Sequence, residues 1–255
     1  MAKQLEYDAF ISYRHLPLDM AVAERTQKLL ENYRAPHSLG KGHKRRIERI
    51  FRDQTELPTS GDLDNAIQRA LQSSRFLIIV LSRELKESKW CMEEIRSFKE
   101  AHGGKIDHIL PILIDGEPDE SIPDILRHEI RKIVHEDGTE EMTEVEVEPL
   151  CCDVRADSMK GALKKLKAEF LRLAAPMLEV GYDDLYQRHM RAKRRRITII
   201  TASTIALLLS VISVISYFSY QTYRAQQRYQ SNLVDNYAQR GANQITAGDL
   251  EQAMM

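Results

Sequence analysis

Cysteine is scarce in this chain, with three among 255 residues, at Cys91, Cys151 and Cys152. Two are neighbours and the count is odd. None stands in C-x-x-C or in a His/Cys spacing suited to zinc, which excludes a disulfide scaffold and a zinc module. A surplus of charge is also missing: 37 Lys+Arg face 38 Asp+Glu, so the whole chain has no electrostatic pull toward nucleic acid. No G-x-x-x-x-G-K-S/T run occurs, and Gly40-Lys41-Gly42 lacks the third glycine of G-x-G-x-x-G, so the two common phosphate cradles are absent. No internal repeat is found. Met1–Glu6 is polar with no apolar run behind it, and no secretory signal is expected there. What remains is ordinary for a folded domain in a reducing, cytoplasmic setting: 43% hydrophobic and 29% charged residues.

One run departs from that average. Ile197–Tyr220 holds 24 residues without a charge, sixteen apolar and eight Ser or Thr. As a helix rising about 1.5 Å per residue it covers roughly 36 Å, enough for a hydrocarbon core of about 30 Å. An all-round apolar helix of this length would otherwise need a large protein around it. A single-pass membrane span is therefore expected. Arg188, Arg191, Lys193, Arg194, Arg195 and Arg196 precede it, while Arg224 and Arg228 follow, so the amino-terminal part is expected in the cytoplasm and the tail outside. The basic segment 188–196 reads as an anchor near anionic headgroups rather than a nucleic-acid site. Thr198, Ala202, Ala206 and Ser210 recur every four residues, a small-xxx-small stripe suited to helix pairing.

Residues 1–187, with a core of about 6–175, alternate strand-like and helix-like patterns. Tyr7–Tyr13, Ile50–Arg52, Phe76–Leu81, Ile106–Ile114 and Glu148–Val154 read as strands. Met20–Tyr33, Leu63–Leu71, a helix capped by Ser88 and running through His102, and Lys160–Leu173 read as helices. This alternation predicts an α/β fold: a flavodoxin-like five-stranded parallel sheet in the order 2-1-3-4-5, with helices on both faces. Glu136–Glu148, with seven carboxylates and no Lys or Arg, is expected as a solvated loop. Residues 221–255 read as a helical tail that turns at Gly248-Asp249.

In such a sheet, ligands bind beyond the carboxyl ends of the strands where the order reverses, between the first and third strands. That rule selects Ser12-Tyr13-Arg14-His15 and the segment Ser82–Glu94. The third strand ends in Ser82 rather than Asp, which disfavours a phosphoacceptor receiver. On the helix that follows, Trp90 and Glu94 are four apart and share a face beside the apolar stripe of Cys91, Ile95 and Phe98. Glu93 points about 100° away. Spacing alone is better served by two glutamates that merely complement the helix dipole.

Four segments in order resemble the TIR (Toll/interleukin-1 receptor) domain over roughly Glu6–Leu173: YDAFISYRH at Tyr7–His15, FRDQTELPTSGDLDNAI at Phe51–Ile67, FLIIVLS at Phe76–Ser82 and SKWCMEEI at Ser88–Ile95. With EPLCCDVR, GYDDL and a single span, the pattern is similar to bacterial TIR proteins that carry a membrane helix and C-terminal repeats. The resemblance implies cleavage of NAD+ at the nicotinamide–ribose bond, with NAD+ as substrate, no separate cofactor and no metal. It assigns Glu94 as the catalytic carboxylate, and Ser12, Arg14 and Trp90 to the nucleotide pocket. Arg14 is as well suited to pairing with a surface acid, and Trp90 to a core position. His15 departs from the family's usual Arg or Gly. Asp53, Leu57, Pro58 and Gly61 fall in the segment resembling the BB loop, which implies self-association and assembly with other TIR domains. The product, ADP-ribose or a cyclised form, stays open. So does the alternative of a non-catalytic module that recruits TIR domains in signal transduction.

Overall fold

The computed structural model describes residues 5–36, 46–52, 63–134 and 140–253. The chain divides into two compact units, Met1–Ala192 and Lys193–Met255. In the first, β1 (Tyr7–Ser12), β2 (Ile50–Phe51), β3 (Ser74–Leu81), β4 (Ile109–Leu113) and β7 (Cys152–Asp153) form one parallel sheet in the order β2-β1-β3-β4-β7. Counted within the sheet this is the expected 2-1-3-4-5. The near-continuous apolar sequence of β3 and β4 has its cause here, since both lie inside the sheet and are covered on both faces.

Alternate residues along each strand supply two cores. On one face Ala9, Ile11, Ile78, Val80 and Ile112 pack with Val22, Ala23 and Leu30 of α1 (Pro17–Glu31). The same core takes in Leu166 of α5 (Met159–Glu169) and Leu171 and Ala174 of α6 (Leu171–Met177). On the other face Phe10, Leu77, Ile79, Leu81 and Leu113 pack with Leu71 of α2 (Leu63–Gln72). Cys91, Ile95 and Phe98 of α3 (Lys89–Ala101) complete that side. The amphipathic spacing of α2 and α3 is thus the imprint of this second face.

Two expectations for this unit need correction. The acidic stretch is no loop over Glu140–Glu146. It forms β6, paired antiparallel with β5 (His128–Val134) in a separate two-stranded sheet. Thr143, Val145 and Val147 alternate with glutamates there, a period of two that outweighs the charge. The single closing helix is two, α5 and α6, meeting at Phe170. Between β4 and β5 lie a one-turn helix α4 (Pro118–Ser121) and a 3-10 turn.

The last helix, α7, runs from Tyr182 to Ala253 and passes through the expected turn at Gly248-Asp249 without interruption. One glycine costs a helix only about 1 kcal/mol, too little to end it. Within α7 lies a window of mean hydropathy 2.3 whose residues are exposed to solvent in this chain. It is the one helix among the described residues long and apolar enough to cross a membrane.

Candidate active site

β1 ends at Ser12, whose backbone pairs with Ile79 of β3. The chain then leaves the sheet, and Pro17 at the first helical position opens α1. Across the crevice, β3 ends at Leu81 and is followed by a 3-10 turn, Arg83–Glu87. Ser88 then caps α3 by accepting a hydrogen bond from the Cys91 backbone N–H at 3.4 Å. The buried stripe of α3 fixes its rotation against the sheet. Glu94 is therefore turned toward β1 and is half-buried.

The result is a contact between residues 82 apart in sequence: Ser12 Oγ donates to Glu94 Oε2 at 2.5 Å. Ser12 is itself buried, so the hydroxyl holds the carboxylate in one orientation at the switch point. Glu93 is exposed and accepts from Arg96 at 2.5 Å. Of two adjacent glutamates, one faces the crevice and the other is a helix-surface ion pair. Trp90, expected either at the pocket or in the core, is 60% exposed on the Glu94 side of the helix, which rules out the core role.

Arg14 takes the surface-acid partner, donating from Nη1 to Glu84 Oε2 at 2.7 Å. The pair bridges the loop after β1 and the turn after β3. Asp19, in the first turn of α1, is buried, with Oδ1 lacking a hydrogen-bond partner among the described residues. Burial pushes its carboxyl up to about 6, against the opposing effects of its own backbone N–H and of Arg14. Ser82, just after β3, likewise keeps a buried hydroxyl with no partner among the described residues. Sequence reasoning selected the segment holding Glu84 without singling it out, and missed Asp19. An acid in a helix's first turn ordinarily serves the dipole from the surface, so nothing local distinguishes Asp19.

Cys91 is a buried free thiol. Burial raises its thiol pKa, with hydrogen bonds to Ser88 and Ser12 opposing and the Glu94 charge adding to the rise. Among the described residues no three His, Cys, Asp or Glu side chains cluster to hold a metal. Asp53, Leu57, Pro58 and Gly61 lie outside the described residues. The crevice therefore offers an oriented carboxylate, a cation in reach of an anionic group, and an exposed indole.

Ser12 and Glu94 thus meet at the switch point of a 2-1-3-4-5 sheet, with Trp90 exposed one helical turn before Glu94. A family model of the TIR domain matches residues 10–148, more than half of the chain, and the chain belongs to that family. Two curated relatives are similar to it. One is the NAD(+) hydrolase ApTIR of Actinoplanes sp., 35% identical over 113 residues, covering 44% of this chain and 15% of the relative. The other is the NAD(+) hydrolase TcpA of Theionarchaea archaeon, 32% identical over 114 residues, covering 44% of this chain and 30% of the relative. The matched part thus spans less than a third of either relative's length. Among solved structures, the TIR domains of the activated Roq1 resistosome bound to the effector XopQ align at 25% identity. That alignment has a TM-score of 0.35 and covers 45% of this chain and 61% of the other.

Proposed function

We propose that this chain is a membrane-anchored TIR signalling protein that cleaves NAD+ at the nicotinamide–ribose bond, with Glu94 as the catalytic carboxylate. The observation that carries the reading is the Ser12–Glu94 hydrogen bond, which presents one carboxylate in a fixed orientation at the switch-point crevice. Similarity to two NAD(+) hydrolases, over 113 and 114 residues, supports it.

The chemistry suits the residues. As the C1′–N bond breaks, nicotinamide leaves as a neutral base with the bonding electrons, and positive charge develops on the ribose C1′ and ring oxygen. A carboxylate held in place stabilises that charge more than it stabilises the ground state, which is the condition for accelerating the step. Water then adds to C1′, one proton is released, and ADP-ribose results. If a nucleophilic atom of the adenine takes the place of water, the product is cyclic. Arg14 receives the pyrophosphate through charge-assisted hydrogen bonds. Trp90 offers a face for an aromatic ring.

The apolar window of α7 serves as a single membrane span, with the TIR domain cytoplasmic by the basic excess before it. Confinement to a membrane raises the effective concentration of attached domains, so weak contacts between TIR domains become populated. The full chain, reconstituted in vesicles at rising surface density, is therefore expected to release nicotinamide from NAD+ at a rate that climbs faster than linearly. Strict proportionality to the amount of protein would remove the role of self-association, and no release at any density would remove the enzymatic reading.

A further inference from the structure

Three ionisable side chains meet beside the Ser12–Glu94 contact: Arg14, Glu84 and Asp19. They differ in how firmly each is held. Asp19 is buried in the first turn of α1, close enough to Arg14 and Glu84 for their charges to act on its carboxyl. The Arg14 side chain is 22% exposed, whereas that of Glu84 is 58% exposed, on a short turn. The bond between the two runs from one guanidinium nitrogen to one carboxylate oxygen.

We propose that Glu84 is a specificity-determining counter-ion of the site, occupying Arg14 until a pyrophosphate group of the ligand displaces it. The inference rests on the nucleotide reading above and adds to it what the arginine does before ligand arrives. An exposed carboxylate holds an arginine only weakly, because water screens the pair and two side chains must be ordered to keep it. A pyrophosphate carries more charge and more acceptor oxygens, and it can engage the planar guanidinium through two parallel hydrogen bonds. It therefore wins the exchange, while a weak monovalent anion does not. The displaced Glu84 swings into solvent at little cost, since its side chain already lies mostly there. Arg14 stays near the crevice because most of its side chain is already buried there, close enough to Asp19 for their charges to interact. Glu84 thus lowers affinity for every anion and excludes those that cannot repay the lost pair.

The prediction separates from a simple positioning role by its sign. With the full chain in detergent micelles, calorimetry should show ADP-ribose binding about two- to fivefold tighter in Glu84→Gln than in wild type. Adenosine, which lacks the pyrophosphate, should bind both equally. In an Arg14→Gln background, Glu84→Gln should no longer tighten ADP-ribose, because the competition has lost its object. Unchanged or weaker binding in Glu84→Gln overturns the proposal, as does tightening that persists without Arg14, which would reflect only a lost negative charge. Absence of ADP-ribose binding in every variant overturns it as well. Glu94-dependent nicotinamide release alongside unchanged ADP-ribose binding sinks this inference alone. Arg14-dependent tightening in a chain that never releases nicotinamide sinks the cleavage reading alone.

Discussion

Ile130 of β5 packs over Gly104, just past the C-terminal end of α3, and donates its backbone N–H to the Gly104 carbonyl at 3.1 Å. This contact ties the hairpin to the helix that carries Glu94. Gly104 has φ +76°, and a Cβ there would stand 2.7 Å from Ile130 Cδ1. Gly103 has φ +69° but open space around it. Gly103→Ala should cost about 1 kcal/mol from the left-handed backbone alone. Gly104→Ala adds a clash and should cost roughly 1–2 kcal/mol more. Thermal unfolding of the two variants checks the ranking, and equal melting temperatures would show that Ile130 yields freely.

Removing the Ser12 hydroxyl should leave the fold intact, since Ser12→Ala deletes only one buried oxygen and Glu94, being half-buried, can take a water instead. The loss in stability should stay near 1 kcal/mol, the net worth of one hydrogen bond. NAD+ cleavage should fall about tenfold, because the carboxylate is no longer held in one orientation. Steady-state rates and a melting curve on the same sample decide it. A variant as active as wild type would show that Ser12 does not orient Glu94.

Asp19 predicts a pH signature. Its folded-state pKa is raised to about 6 from the ordinary carboxyl value of 3.8, so between those limits the folded protein holds a proton that the unfolded chain has lost. Stability therefore falls as pH rises from near 4 to near 6, and the cost stays constant above that, at most roughly 3 kcal/mol. Asp19→Asn keeps the group neutral. Its melting temperature should exceed that of wild type most at pH 7 and above, and the difference should vanish near pH 4. A gain that is independent of pH would assign the effect to packing. Such a strained group beside Arg14 is consistent with a site that gives up stability for function.

How much of this was legible in the chain follows from the range of each interaction. β3 and β4 read as strands because burial on both faces leaves a continuous apolar run. The direction of Glu94 was legible because Trp90 and the stripe of Cys91, Ile95 and Phe98 share its helix, whereas its assigned role came from the resemblance alone. Glu84 was not, since its partner lies 70 residues away and nothing in its own turn marks it. β6 was misread because a run of carboxylates suggested solvation, although side chains that alternate in polarity do the same on a half-exposed strand. The break at Phe170 has no glycine or proline at the junction to announce it.

Topology is testable by labelling. A cysteine introduced at Asn232, which is exposed on α7, should react with a membrane-impermeant thiol reagent in intact cells. The native thiols should stay unlabelled until the cells are opened. Labelling confined to opened cells would reverse the orientation drawn from the six basic residues before the span.

The most direct test follows NAD+ by NMR in the presence of the full chain reconstituted in vesicles, comparing wild type, Glu94→Ala and Glu93→Ala. Wild type should release nicotinamide with an equimolar amount of ADP-ribose or its cyclised form. Glu94→Ala should lose at least about a hundredfold in rate, whereas Glu93→Ala, which loses only a surface pair with Arg96, should stay within about threefold. No nicotinamide from wild type, full activity in Glu94→Ala, or equal losses in the two variants would contradict a site built on Glu94.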